Sequence, residues 1–305
     1  MEPITLITVT YRGEDALLSL QARSLALYAS PRVVEQVIVI DNDETRLSGR
    51  RLTDLLNVYD WLRSRVTVIH SGSITSTRAG SGWVNQQILK LLIANYVKTP
   101  WYVVLDAKNH AIRPLSLSDF LSPDGRARGG FQSYAVHPLK ARLLTTLRYM
   151  GLDETPADYY PPTSTPFVFK TEIAREIANS HGFEAQFVKN DLTEFFLYSA
   201  WILQRDGDWS RVFDGNAIQC PVVWGGSANA SGVEEAIRLA ADFDAPFFGV
   251  HRRALQRLRP SDYRLLAQHW VSWGLMRSLH EAQQFRLRFF REQTASLVLR
   301  RLYRR

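Results

Sequence analysis

The stretch from 101 to 110 narrows the folds open to this chain more than any other. Trp101-Tyr102-Val103-Val104-Leu105 is an unbroken apolar run of strand length, and it stops abruptly at Asp106, Lys108, Asn109 and His110. Aromatic and β-branched residues favour extended backbone. Continuous apolarity, in place of alternation, is what a strand shows when helices cover both faces of its sheet. Sheets of that kind bind ligands at the carboxyl ends of their strands. The run therefore predicts a central parallel strand with Asp106 and Lys108 on the same side of a ligand-binding edge. A strand end solvated by ordinary polar residues would give the same pattern.

The rest of the chain repeats this grammar. Ile4 to Thr10 reads as a first strand left through Tyr11-Arg12-Gly13-Glu14-Asp15, and Leu17, Leu18, Leu20, Leu25 and Leu27 then follow helical spacing. Val33 to Ile40 is a second apolar run ending in Asp41-Asn42-Asp43, and Val66 to His70 is a third. Strand and helix in alternation imply a parallel sheet with right-handed crossovers. Ser71 to Gly82 reads as a mobile polar loop over a site. In the helix after it, Val84, Ile88, Leu91 and Leu92 share one face, while Gln86, Gln87 and Lys90 flank that face on the side of the strand ends. Residues 112 to 162 are turn-rich and suit an acceptor-side insertion.

Composition limits the class. With 305 residues and 46% of them hydrophobic, a substantial core is available. A single cysteine, Cys220, allows no internal disulfide and fits a reducing compartment. The N-terminus has no signal-peptide pattern and no stretch is long and apolar enough to span a membrane, so a cytoplasmic protein is expected. Charge is unevenly placed: residues 251 to 305 hold 13 arginines against Asp262, Glu281 and Glu292, an excess of +10 in a chain whose total is +7. Nucleic acid could explain such a tail, but arginines mixed with Leu, Phe, Trp and Tyr at helical spacing equally suit an anionic membrane, and peripheral contact at its inner face, without nucleic acid, is expected.

A second concentration of polar residues lies between 163 and 200. Phe167-Val168-Phe169 reads as a short strand before an amphipathic helix from Thr171, and Asn190-Asp191-Leu192-Thr193-Glu194 opens an apolar helix from Phe195 to Leu203. Asp191 with Glu194 three residues later fits a capping box, worth on the order of 0.5–2 kcal/mol for the cap. The same pair equally fits two carboxylates at a cleft mouth, one of them a general base. Further on, Ala245 to Val250 delivers His251 and the pair Arg252-Arg253.

In this order, Thr8-Val9-Thr10-Tyr11, Gly82-Trp83 with Gln86, Gln87 and Lys90, Leu105 to His110, and Asn190-Asp191 with Glu194 resemble glycosyltransferases of the GT-A type, and more narrowly an uncharacterised bacterial family related to them. The resemblance covers residues 4 to 255. It implies a GT-A fold, an α/β architecture with a mostly parallel sheet flanked by helices, as a catalytic domain over 1–255, followed by a basic helical extension over 256–305. It also implies that Tyr11, Arg12 and Asp41 border the nucleotide of a nucleotide-sugar donor (a UDP-sugar first), that Asp106 takes the first position of the DxD motif, that Asp191 is the base of the xED motif, and that His251 sits near the donor diphosphate. Two positions depart from the pattern. Lys108 stands where the second DxD carboxylate binds a divalent metal, which favours metal-independent donor binding, and Asp191-Leu192-Thr193-Glu194 leaves two carboxylates as candidate base.

The chemistry expected of such a site is independent of the resemblance. A departing diphosphate needs cations aimed at its developing charge, for which Lys90, Lys108 and His251 are candidates, with Gln87 beside the donor. An acceptor hydroxyl needs a base, Asp191 first and Glu194 second. The expected reaction is inverting sugar transfer to a polysaccharide or lipid-linked glycan. The alternatives are a sugar nucleotidyltransferase, against which the lack of a Gly-rich loop after the first strand speaks, and a non-catalytic sugar- or partner-binding descendant.

Overall fold

The structure is a computed structural model that describes residues 2–44, 46–76 and 82–303. In chain order the elements are β1 (Ile4–Thr10), α1 (Asp15–Tyr28), β2 (Val34–Asp41), α2 (Gly49–Val58), β3 (Val66–His70), α3 (Gly82–Leu92), β4 (Trp101–Asp106), β5 (Asn109–Ala111), α4 (Lys140–Tyr149), β6 (Phe167–Lys170), α5 (Thr171–Ala178), α6 (Phe183–Lys189), α7 (Glu194–Asp206), β7 (Val222–Val223), α8 (Ala230–Asp242), β8 (Phe247–Val250), α9 (Arg252–Arg257), α10 (Pro260–Ser272) and α11 (Leu279–Tyr303). Part of the loop expected over the site, residues 77–81, lies outside the described residues.

The main sheet runs β3-β2-β1-β4-β6. The β3-β2, β2-β1 and β1-β4 pairings are parallel and β4-β6 is antiparallel. The run 101–106 thus has a parallel neighbour on one side only. The start of α5 fixes this direction: Thr171 N–H donates to Pro100 O at 2.9 Å and its hydroxyl to Thr99 O at 2.7 Å, so β6 ends where β4 begins. Both strands are buried on both faces, and Tyr102 stacks on Phe169 at 5.0 Å. Register places Val9 beside Asp106 and Thr10 beside Asp41, so three strand ends form one edge. A small second sheet, β5-β8-β7, stands past that edge. Val250 N–H donates to Lys108 O at 3.2 Å, which brings His251 next to the end of β4.

Two expectations about local structure change. Thr193, not Asp191, is the N-cap of α7, and it makes no side-chain cap bond, so the capping box is not formed. Leu27 is half exposed, whereas Leu17, Leu18, Leu20 and Leu25 are buried. The insertion between β5 and β6 contains α4 among its turns. Finally, the packing has no gap at residue 255. Trp270, Leu275, Ala282 and Phe289 belong to the same buried core as β1 and β4, and α11 lies against α1 and the 3₁₀ turn Arg12–Glu14.

Candidate active site

The strand ends open into a two-lobed cleft. The larger lobe, about 590 Å³, is walled by Tyr11, Arg12, Asn42, Asp43, His251, Arg252 and Ser296 among others. The smaller, about 360 Å³, is walled by Gln87, Leu139, Thr163, Thr165, Thr193, Glu194, Phe195, Ile218 and Cys220 among others. Trp83, Gln86, Lys90, Asp106, Lys108 and Trp224 line both lobes, so the end of β4 is where they meet.

At that junction Asp106 is held between two ammonium groups. Its Oδ1 is 3.4 Å from Lys90 Nζ and its Oδ2 contacts Lys108 Nζ. Burial would raise the Asp106 pKa, but the charges of Lys108 and Lys90 outweigh it and hold the carboxyl well below the usual range. Lys90 is itself buried. Burial alone would discharge it, yet Glu194, whose Oε1 is 3.0 Å away, and Asp106 raise its pKa above the ordinary lysine value. The Phe195 ring at 5.0 Å adds a cation–π contact. Lys108 Nζ also donates to Thr165 Oγ1 at 3.2 Å and lies 5.5 Å from the centre of the half-exposed Trp224 ring. Two carboxylates and two ammonium groups thus form a chain from one lobe into the other.

The turn that carries this chain is fixed from behind by Gln21 of α1, a fully buried amide with all its groups paired. Its Nε2 donates to Asp106 O at 2.8 Å and to Asn109 O at 3.0 Å, and its Oε1 accepts from Thr8 Oγ1 at 2.7 Å. Asn109 Oδ1 in turn accepts from Asp106 N–H and from Thr165 Oγ1, both at 2.8 Å. The signal for Gln21 was present in the sequence as a polar residue on the apolar face of α1, four positions from Leu17 and Leu25. His110 does not reach the cleft. It is buried, and its Nε2 accepts from Trp270 Nε1–H at 3.0 Å.

Of the residues expected at the site, Tyr11, Arg12, Gln87, Lys90, Asp106, Lys108, His251 and Glu194 line the cleft. Gln87 does so from the smaller lobe, nearly buried, with its Oε1 unpaired. Two others do not line it. Asp41 is 2% exposed, and its carboxylate accepts from the backbone N–H of Leu47 and of Asp43, so it builds the loop after β2. Asp43, two residues on, does line the larger lobe, and its Oδ2 accepts from Arg12 N–H at 3.0 Å. Asp191 is also outside. It takes a left-handed conformation (φ 48°) in the turn after α6, its N–H bonds back to Val188 O at 3.2 Å, and its side chain, 63% exposed, pairs with Arg142 at 3.1 Å. That turn directs Asp191 outward and leaves Glu194, one helical step later, pointing in. Arg142 also lies 4.6 Å from the Trp83 ring, so the insertion is tied to the cleft rim.

His251 caps α9 through an Nδ1 that accepts from Arg253 N–H at 3.3 Å. Burial first, then the charges of Lys108 and Arg253, depress its pKa below the ordinary value. With Nδ1 accepting, the ring has Nε2–H to offer as a donor.

A protein family described as a family of unknown function, DUF6492, matches residues 3–223. The chain belongs to that family. The matched stretch contains the β4 end and Glu194, while Trp224, His251, Arg252 and Ser296 lie beyond it. Among solved structures, the apo structure of WbbM, titled a bifunctional glycosyltransferase, superposes with a TM-score of 0.50 at 11% identity over 81% of this chain and 45% of that chain. The likeness is one of fold, and the DUF6492 chain spans under half of WbbM. The galactosyltransferase LgtC in complex with donor and acceptor sugar analogs gives a TM-score of 0.44 at 11% identity over 66% of this chain and 70% of that one. No curated protein matches the chain. The fold is thus GT-A-like, with a mostly parallel sheet flanked by helices.

Proposed function

We propose that the protein transfers a sugar from a nucleotide-diphosphate sugar to a hydroxyl of a glycan or lipid-linked glycan. The observation that carries this reading is the Lys108–Asp106–Lys90–Glu194 chain at the junction of two lobes, one sized for a nucleotide and one for a sugar ring. Two reactants meeting at a charged junction need a cation for the leaving diphosphate and a base for the incoming hydroxyl. Lys108, at the larger lobe, supplies the first by exchanging Asp106 for a phosphate oxygen, with Nε2–H of His251 and Arg12 in the same lobe. Glu194, in the smaller lobe, supplies the second, in place of Asp191. The likeness to WbbM supports the fold on which this rests.

The residues do not suit the divalent metal that a DxD motif would hold. Both oxygens of Asp106 already face ammonium groups, and a dication placed there would meet Lys90 and Lys108 at ion-pair distance. No step is therefore assigned to a metal, and the diphosphate is met directly by Lys108.

The test is a panel of nucleotide sugars, UDP-sugars first, assayed for release of nucleoside diphosphate with a range of glycan acceptors. Diphosphate release that depends on acceptor is the expected result. Pyrophosphate release would mark nucleotidyl transfer, and binding of donor without either product would mark a sugar-binding descendant.

A further inference from the structure

The larger lobe is completed by a helix from outside the family-matched stretch. Ser296 of α11 is nearly buried and forms part of the lobe wall beside Tyr11. A Cβ on Gly13 would lie 2.7 Å from Tyr11 Cε2 and 3.2 Å from Ser296 Oγ, so glycine at 13 is what lets the helix come this close. Two residues of the preceding helical turn, Glu292 and Gln293, hold the turn Arg12–Glu14. Gln293 Nε2 donates to Gly13 O, and Glu292 Oε2 accepts from Ala16 N–H at 2.7 Å. Glu14, the N-cap residue of α1, makes no side-chain cap bond, so the carboxylate of Glu292 serves the first turn of α1 from another helix. Its second oxygen is held by Arg288 at 2.7 Å, and Arg288 also reaches Ser19.

We propose that α11 is a working wall of the donor lobe: Ser296 limits the lobe where the nucleoside lies, and Glu292 and Gln293 are positioning residues that set the backbone presenting Tyr11 and Arg12. This rests on the nucleotide-sugar reading given above. A rigid turn is what the proposal requires, because a nucleoside gains affinity from a surface already in its bound shape. The helix meets the lobe with a hydroxyl and turns its carboxylate to the Ala16 N–H and to Arg288, so it presents an uncharged surface suited to a base and ribose. The charged end of the lobe, at Lys108, is left for the diphosphate.

The experiment begins with calorimetry of the full-length protein against UDP, GDP, ADP, CDP and dTDP. Absence of binding to all five would remove the nucleotide-sugar reading itself, and with it this proposal. With the best ligand, Ser296→Trp is expected to weaken binding ~10-fold or more, and inorganic pyrophosphate to bind wild type and Ser296→Trp alike. Glu292→Ala is expected to weaken the nucleotide while Glu292→Gln, which keeps an acceptor for Ala16 N–H, restores most of the loss. Wild-type nucleotide affinity in a folded Ser296→Trp, or equal loss of nucleotide and pyrophosphate, overturns the proposal. Hydrogen exchange on the wild-type protein decides the matter if that variant does not fold. Nucleotide should slow exchange at 12–16 and at 288–296 together, and protection of the first segment without the second overturns it.

Discussion

At the scale of single residues, the sharpest question raised by the proposed sugar transfer is which carboxylate would take the acceptor proton. Asp191 and Glu194 are three positions apart, yet the left-handed turn at 191 separates them by exposure, 63% for the Asp191 side chain against 5% for that of Glu194. Glu194→Gln keeps the shape and one acceptor for Lys90 Nζ, and should lower kcat by about 10²–10⁴-fold while sparing nucleotide binding. Asp191→Asn should stay within about threefold of wild type, since an exposed pair with Arg142 contributes little. The reverse order in a steady-state assay, with thermal midpoints matched, would return the role to Asp191. Lys108 is tested by donor affinity. Calorimetry in excess chelator should match that with added Mn²⁺, and Lys108→Ala should weaken binding by about 10- to 100-fold, the range of a charge-assisted hydrogen bond. Loss of binding in chelator that metal restores would show that a dication displaces one of the lysines from Asp106.

At the scale of elements, the arrangement depends on how the β4–β5 turn is supported. Gln21→Leu would leave two carbonyls and a hydroxyl buried without partners, at about 1–3 kcal/mol each. We expect a lower thermal midpoint together with reduced turnover, because the same turn carries Asp106 and Lys108. Behind the turn, His110 makes stability depend on pH. Burial depresses its pKa from the ordinary 6.5 to about 3, so the folded chain keeps it neutral where the unfolded chain would be protonated. Its contribution is complete above pH 6.5 and is lost as pH falls from there toward 3, at about 1.4 kcal/mol per unit. Denaturant melts at pH 7 and 5 should show a loss in wild type that is smaller, by about 2 kcal/mol, in His110→Gln, which keeps an acceptor for Trp270. Equal losses would mean that His110 is protonated in the fold. These elements also show what the sequence made legible. The strand runs, α3 with Lys90 on its flank, and the helix from Thr171 follow directly from periodicity, and Asp106 and Lys108 follow from where an apolar run stops. Asp41 and Asp191 lie away from the cleft, because a carboxylate after a strand or before a helix is equally suited to bonding backbone N–H groups or to facing solvent, and only the turn geometry decides. Gln21 shows only as a polar residue on an apolar helix face, and Ser296 reaches the cleft on a helix distant in sequence, which no local pattern reveals.

At the scale of the whole molecule, the basic excess of the C-terminal segment has two destinations. Part of it is used within the fold: Arg252 pairs with Glu14, Arg277 with Glu281, Arg288 with Glu292, and Arg286 lies on the Tyr263 ring and donates to Leu258 O. Arg253, Arg259, Arg264 and Arg291, in contrast, are exposed. None of the described helices is long and apolar enough to cross a membrane. A lipid-linked acceptor would nonetheless have to be met at a membrane surface, and each exposed arginine near an anionic leaflet contributes about 1 kcal/mol, attenuated within a Debye length of about 8 Å at physiological salt. The protein is therefore expected to sediment with vesicles rich in phosphatidylserine at low salt, to release as salt is raised, and to ignore neutral vesicles. Replacing Arg253, Arg259, Arg264 and Arg291 by glutamine, which leaves the internal pairs intact, should abolish that binding without changing the thermal midpoint by more than about 1 kcal/mol equivalent. Equal and salt-insensitive binding to both kinds of vesicle would show that these arginines do not direct the protein to a surface, and that the segment serves only to pack α10 and α11 against the rest of the fold.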